Sequence, residues 1–171
     1  MPTEMRTSPS GRSEVVVTEA DGIKFNAPND LTFGPDGRLY FTDSGDWDPA
    51  TKPHTGYIVV VENNGIAHIV EDLGKVYPNG IVAEPDGSLV WVESYTLNVV
   101  RRRPDGVKKV IHTLPDGHIP DGLKIDAAGD LWITTVASGG VDVLAKDGTA
   151  KDFLEVGGTI LNCVFGKGGS P

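Results

Sequence analysis

The chain has 171 residues, enough for one domain of ordinary size, and its 39% hydrophobic content with 22 glycines excludes a disordered polypeptide. A formal net charge of −9 argues against a nucleic-acid surface, since the one basic run, residues 101–103, is short and is interpreted as a solvated strand end. The single cysteine, Cys163, excludes an internal disulfide framework and a Cys-based zinc site.

Residues 1–12 are polar, and we expect them to be poorly ordered. They lack the apolar core of a signal peptide, and no run reaches transmembrane length, so we expect a soluble cytoplasmic protein unless the true N-terminus lies upstream. From residue 13 to residue 171 we predict one structural domain. Cys163 falls in an apolar run that we interpret as a strand with the cysteine buried.

Short runs rich in Val, Ile, Thr and aromatic residues predict strands along this domain. The predicted strands cover residues 13–19, 31–33, 39–42, 57–62, 67–70, 89–93, 99–102, 109–113, 131–134, 141–144 and 151–154. Asp-Gly and Asn-Gly pairs separate many of them and supply the positive φ that tight hairpins need. No window has a 3.6-residue apolar period, so we predict little or no helix.

Three stretches of the chain align without a gap. Each begins with Pro-Asn or Pro-Asp, at Asn29, Asn79 and Asp121, and reaches a turn glycine eight residues later; a fourth copy begins at Leu161-Asn162. The four polar residues are 50, 42 and 41 positions apart, which follows from their numbers. This period and about four strands per repeat predict an all-β fold of the six-bladed β-propeller type.

The repeats do not close a ring of six. The chain holds about three whole blades and two partial ones, whereas six blades of roughly 45 residues need about 270. It is a fragment of a longer protein, which we favour, or it self-associates with a second copy to cover exposed blade edges, or it forms an unusually small closed ring.

The residues at the repeat heads predict a site. In a propeller, side chains that begin the inner strands converge on the central channel, so oxygens of Asn29, Asn79, Asp121 and Asn162 would meet there. Amide and carboxylate oxygens suit hard cations such as Ca²⁺, Mg²⁺ or Mn²⁺. The alternative is that these residues only cap turns, but the repetition of one chemistry at equivalent positions favours a site.

Two further residues are candidates for contact with a ligand. Trp47 lies in the longest irregular segment, residues 44–56, and is a candidate for the wall of a binding site. His118 precedes Pro120-Asp121 and could form a hydrogen bond with a ligand at the channel mouth. For both residues, plain surface exposure is the alternative interpretation.

The segments 26–43, 78–96, 120–126 and 162–166 resemble the senescence-marker-protein/gluconolactonase family of six-bladed propellers, which is related to paraoxonases and diisopropylfluorophosphatases. The resemblance implies a divalent-metal-dependent hydrolase of a lactone or similar ester. It implies that Asn79 and Asp121 bind the metal, that Asn29 joins them or contacts substrate, and that Asp121 is the general base. One cation is implied, Ca²⁺ first, with Mg²⁺, Mn²⁺, Zn²⁺ or Fe²⁺ as alternatives.

Two positions depart from the family pattern. The chain has no first-blade Glu-Gly-Pro motif, and Glu14 and Glu19 fall in predicted outer strands. Ala27 stands where some members carry a substrate-binding arginine. The alternatives to a lactonase are a non-catalytic propeller scaffold and a phosphotriesterase on the same fold. The expected partner is a small-molecule lactone or ester, without nucleic acid or membrane.

Overall fold

The computed structural model describes residues 2–166, which form strands and turns and contain no helix. Three four-stranded antiparallel sheets follow one another along the chain, and each uses its strands in sequence order. The first is β5 (Pro28–Phe33), β6 (Leu39–Asp43), β7 (Gly56–Val61) and β8 (Ala67–Gly74). The second is β9 (Pro78–Ala83), β10 (Leu89–Glu93), β11 (Asn98–Arg102) and β12 (Lys108–Thr113). The third is β13 (Pro120–Ile125), β14 (Leu131–Thr135), β15 (Gly140–Leu144) and β16 (Ala150–Glu155).

These sheets are the three whole blades of a partial propeller, which confirms the fold class expected from the repeat. Two short hairpins precede them: β1 (Glu4–Thr7) with β2 (Ser13–Val17), and β3 (Glu19–Ala20) with β4 (Ile23–Lys24). The structure therefore places a strand, β1, inside residues 1–12. A turn closed by the Ser8 amide on the Arg12 carbonyl, 2.9 Å apart, and a cross-strand ion pair between Arg6 and Glu14 accompany this hairpin.

Apolar clusters join each blade to its neighbour in the chain. Trp91, fully buried, belongs to the cluster between the first and second blades, and Leu123, also fully buried, to the one between the second and third. The third cluster packs the β2–β4 region against the first blade, with the rings of Phe25 and Phe41 edge to face at 5.1 Å. None of these clusters connects the third blade to the first, so residues 2–166 do not form the small closed ring.

One ion pair within the second blade and one between the second blade and the first correct the expectation of a solvated basic run. Arg101 forms a bidentate pair with the buried Glu84, at 2.6 and 3.0 Å. Arg102 reaches Glu71 at 2.7 Å, and both arginines are largely covered. Only Arg103, whose side chain is 63% exposed, is the solvated residue that the sequence suggested. Arg101 thus neutralises a glutamate that would otherwise be buried and unpaired, whereas the partly buried Glu71 also pairs with Lys108.

The expected opening strand of a fourth repeat is not formed at residues 161–166, which is a correction. The Leu161 carbonyl accepts hydrogen bonds from the Gly122 amide at 2.9 Å and the Thr134 hydroxyl at 3.0 Å. No strand in residues 2–166 forms a ladder with this segment, so it stays extended but unpaired. Cys163, expected in a strand, is only partly covered there. The end of the motif, residues 167–171, lies outside the described residues.

Within residues 2–166, the structure has no helix with the length and apolar character needed to cross a membrane.

Candidate functional site

The inner strand of the first blade is bulged at its head. Pro28 pairs with Asp43, and the next paired residue is Leu31, so Asn29 and Asp30 together face the single residue Thr42. The Thr42 hydroxyl accepts the Asp30 amide at 3.1 Å, which satisfies an N–H that the ladder leaves free. Bulges of this kind redirect side chains, and they are common beside functional sites. The bulge therefore leaves Asn29 and Asp30 outside the regular pairing of β5 with β6.

The other two inner strands repeat this irregularity at the equivalent positions. The unpaired residues are Asn79-Gly80 in β9 and Asp121-Gly122 in β13. In the third blade the Gly122 amide donates to the Thr134 hydroxyl at 2.8 Å, as Asp30 does to Thr42 in the first. Three equivalent bulges thus present an amide, an amide and a carboxylate at the same end of neighbouring blades.

Gly80 allows the second and third inner strands to approach closely. A Cβ at this position would lie 2.6 Å from the Asp121 carbonyl oxygen and 2.8 Å from the Gly122 carbonyl carbon, and it would also meet the Leu123 amide nitrogen. All three are backbone atoms of β13, which cannot move aside as a flexible side chain can. Glycine at this bulge therefore brings Asn79 next to Asp121.

Asn29, Asn79 and Asp121 line one cavity of about 280 Å³. The structure thus brings together three of the four residues that the repeat aligned. Asn162 lies against Gly122 but does not line the cavity. The remaining lining residues are aromatic, aliphatic or hydroxyl-bearing: Trp47, Tyr77, Ser94, Ile119, Pro120 and Val136.

Ser94 orients the Asn79 amide. The buried Ser94 hydroxyl donates to the Pro120 carbonyl at 2.7 Å, so its lone pairs can accept Nδ2 of Asn79, 3.3 Å away. Oδ1 of Asn79 is buried and finds no hydrogen-bond partner among residues 2–166. A buried carbonyl oxygen without a partner is unfavourable, so this atom is suited to a cation or to a donor on a ligand.

Asp121 is the carboxylate of the cavity. Partial burial, followed by the negative charge of Asp30, raises the pKa of Asp121 to about 6, and a hydrogen bond from the Asn79 amide opposes the rise. Asp30 itself accepts the Ile81 amide at 3.2 Å and lies 3.4 Å from the Lys124 ammonium. Asp121 therefore combines a near-neutral pKa with access to the cavity, which suits an acceptor of protons.

His118 lies apart from the cavity lining. Its Nδ1 is 2.8 Å from Oδ2 of Asp142, and its ring centroid is 4.7 Å from that of Phe153. These partners belong to β15 and β16, the outer strands of the third blade. The structure thus does not bring His118 together with Asn79 and Asp121 in the cavity.

The sequence missed two aromatic residues of the site, Tyr77 and Tyr95. Their rings and that of Trp47 form one cluster, in which Tyr77 lines the cavity with Trp47. The signal available for Tyr77 was its place directly before the repeated Pro78-Asn79. Trp47, predicted as a wall residue, does line the cavity, and the residue is 46% exposed.

The donor set fits a hard cation. Asn29, Asn79 and Asp121 supply two amide oxygens and one carboxylate, a chemistry that Ca²⁺ and similar ions accept. Residues 2–166 hold no cluster of three or more His, Cys, Asp or Glu side chains, so a softer metal finds no cage in this region. Glu14 and Glu19 are absent from the cavity lining, and the protein charge facing a cation there comes from Asp121.

The three blades define a partial β-propeller, and the heads of its inner strands line a cavity that carries amide and carboxylate oxygens. Residues 4–170 match the family model described as the SMP-30/gluconolactonase/LRE-like region, and the chain belongs to this family.

Named relatives of the chain include lactone hydrolases. The chain is 29% identical over 190 residues to a gluconolactonase from Zymomonas mobilis, which covers 96% of this chain and 52% of that protein. It is 31% identical over 142 residues to a lactonohydrolase from Aspergillus oryzae, covering 82% of this chain and 25% of that one. A solved gluconolactonase from Xanthomonas campestris superposes with a TM-score of 0.79 at 26% identity, covering 94% of this chain and 58% of that chain. The chain thus spans about half the length of the gluconolactonases that it matches.

Proposed function

We propose that this chain carries the reactive centre of a divalent-metal-dependent lactone hydrolase. The observation that carries the proposal is the set of three bulged strand heads, which brings Asn29, Asn79 and Asp121 to one cavity and leaves Oδ1 of Asn79 buried without a partner. The lactonase names of the relatives support the reaction class.

In this proposal Asn79, Asp121 and Asn29 hold one cation, with Ca²⁺ the first candidate because all three ligands are oxygens. The bound cation would polarise the lactone carbonyl and lower the pKa of a water molecule. Because residues 2–166 supply one negative charge and at most three ligands to this cavity, we expect these residues alone to bind the metal weakly.

Asp121 accepts the proton of the attacking water as the water oxygen bonds to the lactone carbonyl carbon. When the ring C–O bond breaks, the proton passes to the departing ring oxygen, and the product is a hydroxy acid. Ser94 keeps the Asn79 amide oriented during these steps. The exposed Asn29 contacts the substrate or completes the ligand set, and Trp47 covers one side of it.

The experiment measures hydrolysis of glucono-1,5-lactone in a pH-stat, with chelator-treated chain before and after addition of CaCl₂ or MnCl₂. Asp121→Asn should lower turnover by roughly 10²- to 10⁴-fold, since it removes a general base. Asp116→Asn makes the same chemical change at an exposed residue of the preceding loop and should retain full activity. Near-normal turnover in Asp121→Asn would exclude the proposed role.

A second measurement separates this proposal from a non-catalytic scaffold. A cation that binds only the folded chain must raise its melting temperature, whereas a scaffold without a metal site predicts no change. We expect CaCl₂ to raise the melting temperature of the wild type and of Asp116→Asn, and to raise that of Asp121→Asn less.

A further inference from the structure

Three aromatic rings form a continuous wall beside the cavity. The centroid of Trp47 lies 4.9 Å from that of Tyr77 and 5.0 Å from that of Tyr95, and the two tyrosines are 5.2 Å apart. Each ring therefore contacts the other two, at distances where aromatic pairs attract each other. We call these three residues the aromatic wall.

The aromatic wall is held in place by the surrounding backbone and by a charged side chain. The Tyr95 hydroxyl accepts the Asp48 amide at 2.9 Å, and the Lys52 ammonium lies 5.2 Å from the centroid of the same ring. Tyr77 has φ of +55°, a left-handed conformation that is costly for any residue with a side chain. A strained tyrosine that borders a cavity indicates that the position of its ring matters there.

The remaining surfaces of the cavity determine which ligands it favours. Ile119, Pro120 and Val136 line it as an aliphatic surface, while the oxygen and amide groups belong to Asn29, Asn79, Ser94 and Asp121. The described lining includes no lysine, arginine or histidine that could neutralise a negative ligand.

We propose that the cavity takes lactones that carry an alkyl substituent, in preference to polyhydroxylated sugar lactones. The alkyl group lies against Trp47 and Tyr77, and the ring ester faces Asn79 and Asp121. This inference rests on the proposed lactone hydrolysis and specifies its substrate class. Trp47 is 46% exposed as a residue, so it keeps surface that a ligand can cover.

The test compares kcat/KM for δ-hexalactone, δ-octalactone, δ-decalactone and glucono-1,5-lactone. Each buried methylene should raise kcat/KM roughly three- to fourfold until the wall is covered. Trp47→Ala should flatten this series and lower kcat/KM for δ-decalactone at least about tenfold more than for the sugar lactone, mainly through KM. Trp47→Phe should restore most of the loss. Equal losses for both substrates, or a wild type that prefers the sugar lactone, would overturn the proposal.

A binding measurement distinguishes this proposal from failure of the proposed function. The probe is the δ-lactam with the alkyl group of δ-decalactone, which resists hydrolysis, and its binding to Asp121→Asn is followed by tryptophan fluorescence. Trp91 is fully buried, and Trp132→Phe removes the emission of Trp132, so Trp47 reports the binding. Saturable quenching in Asp121→Asn, together with no hydrolysis of any lactone by the wild type, supports the aromatic wall and rejects the proposed reaction. Hydrolysis without lactam binding rejects the wall alone.

Discussion

Nδ2 of Asn79 lies 3.3 Å from the hydroxyl of Ser94, and this hydroxyl donates a hydrogen bond to the Pro120 carbonyl 2.7 Å away. These two hydrogen bonds connect the second blade to the third, and all three residues line the cavity. They also determine which end of the Asn79 amide is left without a partner.

Replacing Ser94 with Ala should therefore damage both the fold and the site. It removes the side-chain donor of the buried Pro120 carbonyl and one of the two hydrogen-bond partners of the Asn79 amide nitrogen, and we expect the free energy of unfolding to fall by about 1–3 kcal/mol in urea titrations. The freed Asn79 amide can rotate, so the increase in melting temperature with CaCl₂ should shrink as well. Ser10→Ala, in the exposed turn between β1 and β2, is the control. A normal metal response in Ser94→Ala would argue against this orienting role.

The close approach at Gly80 gives a second prediction. Gly80→Ala places a methyl group against the backbone of β13, so the two inner strands must separate. We expect a loss of about 1–3 kcal/mol in the free energy of unfolding, the usual cost of overpacking, and a fall in lactone hydrolysis because Asp121 moves away from Asn79. At Gly166 an added methyl meets nothing within 4 Å, so Gly166→Ala should change neither quantity.

Two neighbouring arginines provide a matched pair of variants. Arg101→Met leaves Glu84, whose side chain is 1% exposed, buried without its partner, and should cost about 3–5 kcal/mol in chemical unfolding. Arg103→Met removes only a solvated pair with Asp105 and should cost no more than about 1 kcal/mol. Equal effects of the two changes would show that the ion pair of Arg101 does not support the fold.

The carboxyls of Glu4 and Asp43 predict how stability depends on pH. Burial, followed by the charge of Asp43, raises the pKa of Glu4, and burial raises the pKa of Asp43. A carboxyl whose pKa is higher in the folded state stabilises the fold most below its unfolded pKa, and this contribution is lost as the pH rises through the folded value. Glu4→Gln should therefore be more stable than wild type at about pH 7.5, with a smaller gain at about pH 4.

Urea titrations at both pH values measure this difference. Glu14→Gln, on the partner strand of the same hairpin, is the control because Glu14 pairs with Arg6 at an exposed position. A gain for Glu4→Gln that stays constant between the two pH values would contradict the assignment of the effect to titration.

The apolar face of the first blade predicts self-association. Leu31 and Phe33 are 45% and 67% exposed, whereas Ile81 and Leu123, at the positions equivalent to Leu31, are fully buried between blades. We expect the chain to associate through this face at tens of micromolar in sedimentation velocity, and Phe33→Asp to reduce the association. Ile66→Asp changes an exposed turn residue and should leave it intact. A wild type that remains monomeric at these concentrations would contradict the prediction.

The repeat predicted much of the fold and part of the site. Residues at equivalent positions of identical units must occupy equivalent places, so the meeting of Asn29, Asn79 and Asp121 followed from their alignment. The bulges that aim them were not visible, because a bulge depends on which residues pair across strands. Asn79 and Gly80, for example, lie opposite Val92 because β10 pairs Trp91 with Ile81 and Glu93 with Pro78, and this register is not visible in the sequence.

The aromatic wall could not be predicted from the sequence, for a related reason. Tyr95 receives the Asp48 amide across 47 positions of the chain, and Tyr77 owes its direction to a positive φ that its residue type disfavours. Neither the hydrogen bond of Tyr95 nor the backbone conformation of Tyr77 is indicated by a local sequence pattern. The strand expected at Leu161 failed because composition alone cannot supply a neighbouring strand, and Leu161 instead bonds to Gly122 and Thr134.

The interface between the second and third blades contains Val90, Val92, Leu123, Leu131 and Ile133, all with no exposed surface. Amide hydrogens of β9, β10, β13 and β14 should consequently exchange with solvent more slowly than those of the exposed strand β16. Asn79 and Asp121 belong to this slowly exchanging unit, whereas Asn29 and Trp47 belong to the first blade. Local opening of the first blade would therefore widen the entrance of the cavity for a ligand, while Asn79 and Asp121 keep their spacing.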